Sequence, residues 1–247
     1  MLGTAQAFEV AVEFSAQAIQ QAPMRPDYQA TMYVTKEAVR TESKINNIPV
    51  VEVLNIKQQT RVLLIEKNKI YLKQNYAHRS NLIAGGAGHQ PCKGMPDTTC
   101  KKITEEIING RKTEKWEFTV KRHGQQYRSL HWIDVVRRMP VREFFPDGTV
   151  TESKFIGQER LQGRHTEKWS ITMTRADGQS ITSLQWYDPE LKMAIREQMQ
   201  GGFIRELRDI KLGKQQSRLF QIPADYTEVQ QLPEYLLPKQ VESHAGY

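Results

Sequence analysis

Carboxylates recur at the same place in two nearly identical stretches of this chain. Residues 109–116 read Asn-Gly-Arg-Lys-Thr-Glu-Lys-Trp, and residues 162–169 read Gln-Gly-Arg-His-Thr-Glu-Lys-Trp. Two carboxylates such as Glu114 and Glu167 are the equipment of general acid–base chemistry. Their setting argues for a simpler role. Each follows a Gly turn and opens a strand, where Glu and Trp two positions apart share a face and the intervening Lys points the other way. Such a glutamate is expected to form an ion pair. The six histidines, His78, His89, His123, His131, His165 and His244, are scattered, and four of them fall in expected turns, loops or the tail. His131 neighbours Trp132 on a strand and is expected on the opposite face. No nucleophile elbow, zinc-protease, haem-attachment or phosphate-loop motif occurs. The expectation is a protein without catalytic residues, cofactor or metal.

The two cysteines, Cys92 and Cys100, stand in a loop rich in Gly, Pro and Asp. Their spacing excludes a Cys-x-x-Cys redox motif. A disulfide that pins the loop is the favoured reading, and free thiols or a zinc site with His78 and His89 are its competitors. Near the start, Ala5-Gln6-Ala7 has the small-x-small form of a signal-peptidase site. Residues 1–7 are therefore expected to be a signal-peptide remnant, with secretion to the periplasm. The net charge is +7, but basic residues interleave with acidic ones and form no stripe, which argues against nucleic acid. No apolar run approaches the ~20 residues of a membrane span.

The elements that must position these residues are strands. Phe8, Val10, Val12 and Phe14 alternate with polar or small residues, as do Trp116, Phe118 and Val120, and then Trp169, Ile171 and Met173. His123-Gly124, Pro146-Asp147-Gly148 and Asp177-Gly178 mark the turns between them. Helix is scarce. Ser15–Gln21 is expected to form one or two turns with Ser15 as N-cap, and Gly85-Gly86-Ala87-Gly88 lacks the flanking strand and helix of a phosphate loop. The echo between the two stretches continues in Trp132-Ile133-Asp134 against Trp186-Tyr187-Asp188, so all four tryptophans lie in an internal repeat of about 103–155 and 156–212. A repeat of this size must pack against its neighbour to bury its apolar face. The chain reads as one mainly β domain over 8–231, a strongly curved antiparallel sheet with few short helices, followed by a tail over 232–247. Trp116, Phe118, Trp132, Trp169, Ile171, Met173 and Trp186 are the candidate lining of an apolar cavity.

Residues 109–116 resemble the signature of a bacterial envelope family of unknown function grouped with LolA-like lipoprotein carriers. Trp186-Tyr187-Asp188-Pro189-Glu190-Leu191, Ile195-Arg196-Glu197 and Glu206-Leu207-Arg208-Asp209-Ile210-Lys211-Leu212-Gly213 resemble it too, as does Leu219-Phe220-Gln221-Ile222-Pro223-Ala224-Asp225-Tyr226. The resemblance implies an open antiparallel half-barrel that, in the carriers, shields acyl chains in the periplasm. Together with the lining it leads to the expected function, a non-enzymatic periplasmic protein that holds a lipid or an acylated partner in its curved sheet. The alternative is a structural or interaction protein of the envelope, with a filled barrel, that meets an envelope protein through edge strands or its basic surface.

Overall fold

Alternation of apolar and polar side chains decides nearly every element of the computed structural model, which describes residues 12–75, 91, 92, 95, 97–122 and 124–236. The expected strand over Phe8–Phe14, the signal remnant and the histidines His78, His89, His123 and His244 lie wholly or mostly outside these residues. The expected helix at Ser15 is instead strand β1 (Phe14–Gln21). Its residue types tolerate a helix, but Phe14 and Ala16 are buried at 1% and 3% exposure while their neighbours are not. Burial with period two overrides a weak helical propensity.

The described residues group into two compact units, one formed by 13–17, 29–75 and 211–236, the other by 12, 18–28 and the described residues within 91–210. In the first, β2 (Tyr28–Val34), β3 (Ala38–Ile45), β4 (Ile48–Asn55), β5 (Thr60–Ile65) and β6 (Ile70–Asn75) form an antiparallel meander. Both of its faces are buried. Val50, Leu63, Ile65 and Leu72 pack with Val229, Leu232 and Leu236, whereas Val51, Val53, Val62 and Leu64 pack with Phe220, Ile222 and Tyr226. This double burial explains the unbroken apolar run Val62–Ile65. One C-terminal segment supplies both covers, and Leu236, in the segment expected to be a tail, is only 4% exposed.

In the other unit, nine strands follow one another in chain order, each antiparallel to the next. They are β7 (Thr98–Ile108), β8 (Arg111–Arg122), β9 (Gln125–Asp134), β10 (Pro140–Phe144), β11 (Val150–Leu161), β12 (Arg164–Thr174), β13 (Ser180–Asp188), β14 (Met193–Met199) and β15 (Ile204–Leu212). The last strand, β16 (Thr227–Glu228), pairs parallel with β6 and carries the C-terminal segment past that edge. Helix among the described residues is limited to the short 3-10 turns Glu66–Asn68, Ser217–Phe220 and Glu234–Leu236. The mainly antiparallel β class with few short helices is thus what the chain adopts.

The repeat is four strands long, β7–β10 and then β11–β14. It extends to irregularities that the sequence does not announce. Ile103 on β7 and Ile156 on β11 are the extra residues of matching bulges, and Val141 and Ile195 are those of a second matching pair. Asn109-Gly110 and Gln162-Gly163 carry positive φ at both positions, the requirement of a tight two-residue hairpin turn. Beside each of these turns a buried aspartate organises the chain. Asp134 pairs with Arg111 and accepts the N–H groups of Val136 and Arg137, both at 2.8 Å. Asp188 pairs with Arg164 and accepts those of Glu190 and Leu191, at 2.9 and 3.1 Å.

Burial alone would raise the pKa of Asp134, but the Arg111 guanidinium and the two backbone donors outweigh it and hold the carboxyl below its ordinary value of 3.8. A depressed folded pKa stabilises the fold above the unfolded value, and that stabilisation is lost as pH falls through the folded one. Asp134→Ala, which leaves a largely buried Arg111 unpaired, should cost about 3–5 kcal/mol in urea unfolding at pH 7. The gap between wild type and Asp134→Asn should be full above pH ~4 and shrink in acid; a gap that is constant with pH would contradict the assignment.

Candidate functional site

Register decides what the seven expected lining residues can share. Partners across a strand pair lie on the same face, and successive residues along a strand on opposite faces. Trp116 pairs with His131, and Trp132 pairs with Lys115. Trp169 pairs with Gln185, and Trp186 with Lys168. The two tryptophans of each hairpin therefore lie on opposite faces. Following the pairs from Trp116 through His131, Glu143, Thr151 and Met173 to Ile181 shows that Trp116, Phe118, Trp169, Ile171 and Met173 share the first face. Trp132 and Trp186 lie on the second face, which corrects the expectation of a common lining. The β12–β13 turn is one residue longer than the β8–β9 turn, but its extra residue falls outside the ladder, where Arg175 N–H bonds the Gln179 carbonyl at 2.9 Å.

On the second face each tryptophan is clamped. Lys115 Nζ and the Arg142 guanidinium lie 4.7 and 5.8 Å from the Trp132 ring centre, and Lys168 and Arg196 lie 4.7 and 5.1 Å from that of Trp186. The Trp132 indole N–H donates to Glu106 at 2.7 Å, and Trp186 donates to Glu159. Lys115 and Lys168 pair with the same two glutamates at 3.4 and 3.3 Å. The indole donors, followed by these lysines, hold both carboxyls below the ordinary range against some desolvation. Arg142 and Arg196 go on to Glu152 and Glu206. This Glu–Lys–Trp–Arg–Glu ladder occurs once per copy. Each ring–cation contact contributes on the order of 0.5–2 kcal/mol. Its charges are used within the sheet.

Glu114 and Glu167 are equally occupied, as the turn-and-strand reading expects. Glu114 accepts from Trp116 at 3.2 Å and pairs with Lys102 at 2.8 Å and Arg138 at 3.4 Å. Glu167 accepts from Trp169 at 3.3 Å and pairs with Arg137, whose Nε is at 2.6 Å. Arg111 and Arg137 flank the Trp169 ring at 5.3 and 5.7 Å, so side chains of the first copy hold the second in place.

The first face is closed at one place and open at another. Trp116 and Phe118 are 5% and 4% exposed and pack with Ile133, Cys92, Met95 and Cys100. Cys92 and Cys100 are joined in a disulfide, so the loop is pinned to the edge strand directly beside Phe118. Trp169, Trp132 and Trp186 are also 7% exposed or less. A side chain that lines a cavity wide enough for an acyl chain shows accessible surface, so these five residues form core. Ile171 and Met173 differ, being half-buried. Beside them on the same face stand Phe155, Ile181 and Met199, exposed at 37%, 43% and 40%. Register unites them. Phe155 pairs with Trp169, Met173 with Ile181, and Ile171 with Ser183, which pairs with Met199. Thr151, Ser153 and Ser183 contribute hydroxyls to the same rows. Ile181 and Met199 were missed in the sequence because each stands alone among polar neighbours, and Phe155 because Ile156 beside it breaks the alternation, although each has the parity of the Trp169 series.

Among the described residues no group of His, Cys, Asp and Glu is arranged to hold a metal, and no helix is long and apolar enough to cross a membrane. No protein-family model matches the chain, and no curated protein matches it in sequence. Its fold is similar to that of solved LolA superfamily proteins. One, from Nitrosomonas europaea, is 14% identical over 87% of this chain and 94% of its own, with a TM-score of 0.40. A putative outer membrane lipoprotein-sorting protein domain from Vibrio parahaemolyticus is 10% identical over 86% of this chain and 90% of its own, with a TM-score of 0.39. A chain of the Pseudomonas aeruginosa MucA/MucB complex is 11% identical over 90% of this chain and 62% of its own, with a TM-score of 0.33.

Closing so short a loop by a disulfide stabilises the fold by about 2–3 kcal/mol in the chain-entropy account. Replacing Cys92 and Cys100 by Ser should lower stability by that amount and uncover Trp116, seen as a red shift and stronger acrylamide quenching of fluorescence. Unchanged quenching would mean that the disulfide does not hold the cover.

Proposed function

We propose that this chain binds an apolar ligand, an acyl chain of a lipid or of an acylated partner, on the half-exposed first face of β11–β14. One observation carries the reading. Phe118 and Ile171 are equivalent positions of the repeat, 53 residues apart, yet Phe118 is 4% exposed under the disulfide-pinned loop while Ile171 is half-buried in a patch with Met173, Phe155, Ile181 and Met199. The first copy has its cover built in. In the second copy the ligand takes the place of that cover. Flexible methionines suit an adaptable apolar surface, and the neighbouring hydroxyls offer orientation. The disulfide fits an oxidising compartment such as the periplasm.

Native mass spectrometry of gently purified protein should show a population carrying a fatty acid or phospholipid mass. Adding lysophospholipid should change the fluorescence of Trp169, which lies beneath Phe155. Met173→Asp places a charge in the patch and should weaken binding at least tenfold, with little change in the melting curve. Absence of any bound lipid, together with an unchanged fluorescence signal in titration, would rule the reading out.

A second reading has its own observation. Among the described residues β7 pairs with β8 alone, and its Ile103 and Ile107 are 48% and 76% exposed. An edge strand with outward isoleucines can add a strand from a protein partner. Ile107→Lys should then abolish binding of an envelope partner while leaving lipid binding intact.

A further inference from the structure

On the first face of β9 and β10, three side chains stand in line. Ser129 Oγ lies 2.7 Å from His131 Nε2, and His131 Nδ1 lies 3.0 Å from Glu143 Oε1. His131 is 8% exposed. Its ring is held between Phe118, with centroids 4.3 Å apart, and Phe145, edge-on at 5.9 Å. A hydroxyl in contact with a histidine whose other nitrogen is fixed by a carboxylate is the arrangement of an activated serine nucleophile. The carboxylate selects the tautomer that leaves Nε2 free to accept the hydroxyl proton.

The repeat supplies an internal control. The positions equivalent to Ser129, His131 and Glu143 in the second copy, 54 residues on, are Ser183, Gln185 and Glu197. Gln185 Nε2 donates to Glu197 at 2.9 Å, and Ser183 turns its hydroxyl to the Ile171 carbonyl at 3.5 Å. Glutamine therefore suffices for the hydrogen bond the sheet needs at this place. Histidine adds only the capacity to take up and release a proton, and only beside it does the serine turn towards the ring.

We propose that Ser129, His131 and Glu143 form an acyl-transfer site for carboxylic esters of apolar acids, with Ser129 as nucleophile. The placement of the acyl chain rests on the binding reading above. The row that begins at His131 continues through Glu143 and Thr151 to Met173 and Ile181. Met173 is thus three strand spacings, about 14 Å, from the histidine, and a chain lying across the strands on the patch can present its ester carbonyl to Ser129. Ser129 Oγ attacks the carbonyl carbon as its proton passes to His131 Nε2. The carbon–oxygen bond to the alcohol breaks, and the alcohol leaves with that proton. Water then attacks the acyl-serine ester, again deprotonated by His131, and releases the carboxylic acid and the free hydroxyl. The sum is ester plus water to acid plus alcohol, with no redox change.

The test is labelling of the intact chain with an alkyl fluorophosphonate, read by intact mass and peptide mapping, beside release of p-nitrophenol from a long-chain ester. Wild type should take one adduct at Ser129. Ser129→Ala should take none, and His131→Gln should label at least 100-fold more slowly, the scale of a lost general base. His131→Gln copies the hydrogen bond of Gln185 and should fold with an unchanged melt. Glu143→Gln should fall between. Equal labelling of wild type and His131→Gln, or no labelling at Ser129, overturns the proposal. Lipid binding by native mass spectrometry is read on the same samples. Binding without labelling removes this site and leaves the binding reading standing, whereas labelling without binding does the reverse.

Discussion

The unit of β7–β15 depends on hairpin register. In each copy two tryptophans stand on adjacent strands but on opposite faces, and the second of them, Trp132 or Trp186, lies under a Lys–Arg clamp. A one-residue slip of β8 would exchange the faces of Lys115 and Trp116 and take Lys115 away from Trp132. Every side chain of a strand changes face together in such a slip, so the clamp and the core would fail at once. The tight turns at Asn109-Gly110 and Gln162-Gly163, with positive φ at both residues, hold the register at one end. At the same end the buried aspartates Asp134 and Asp188 tie Arg111 and Arg164, the residues after those turns, to the loops that leave the next strand. The bulges at Ile103, Val141, Ile156 and Ile195 occur at matching places of the two copies. Bulges bend and twist a strand, so the duplication preserves a local backbone shape as well as a sequence.

This arrangement also explains how so charged a chain buries so many polar groups. The lysines of Thr-Glu-Lys-Trp and the arginines opposite them stand over indole rings and pair with glutamates. Exposed ion pairs contribute little singly. Here the charged ends of Lys115, Arg142, Lys168 and Arg196 also stand over an aromatic ring. The sheet has few helices to lay on this face and uses its own cationic side chains for the purpose. A motif with the residue types of acid–base catalysis is therefore a fastening.

Much of this could be read from the sequence, and the failures have physical causes. The strands, the turns at Asp147 and Asp177, the repeat and the disulfide follow from alternation, turn chemistry and composition, all of which are local. The faces of Trp132 and Trp186 were not legible, because hairpin parity is set by which turn residues pair, and alternation alone fits either choice. Strand β1 was misread because Ser-Ala-Gln-Ala carries no β signal until Phe14 and Ala16 are seen to be buried. Leu236 looked like tail because the short run Tyr235-Leu236-Leu237 between prolines has no period, and its burial depends on β16 reaching β6. Of the candidate site, only Ile171 and Met173 were in the sequence reading. Phe155, Ile181 and Met199 acquire meaning from register alone, and Ser129 was invisible without the contact to His131.

Duplication usually hides differences of function behind similarity of form, and here the similarity makes the differences measurable. The copies share turn, bulge, clamp and buried aspartate, so a difference between equivalent positions is not demanded by the fold. Two such differences fall on the same face. Under the first copy the chain provides a disulfide-anchored loop, and Phe118 is sealed. Over the second it leaves Ile171 and Met173 beside three more exposed apolar side chains. The second difference is His131 against Gln185. Both carry a hydrogen bond to glutamate, and one of them can also carry a proton. The first copy thus holds the sealed core and the polar relay, and the second offers the open apolar surface, on rows of side chains that run from one to the other.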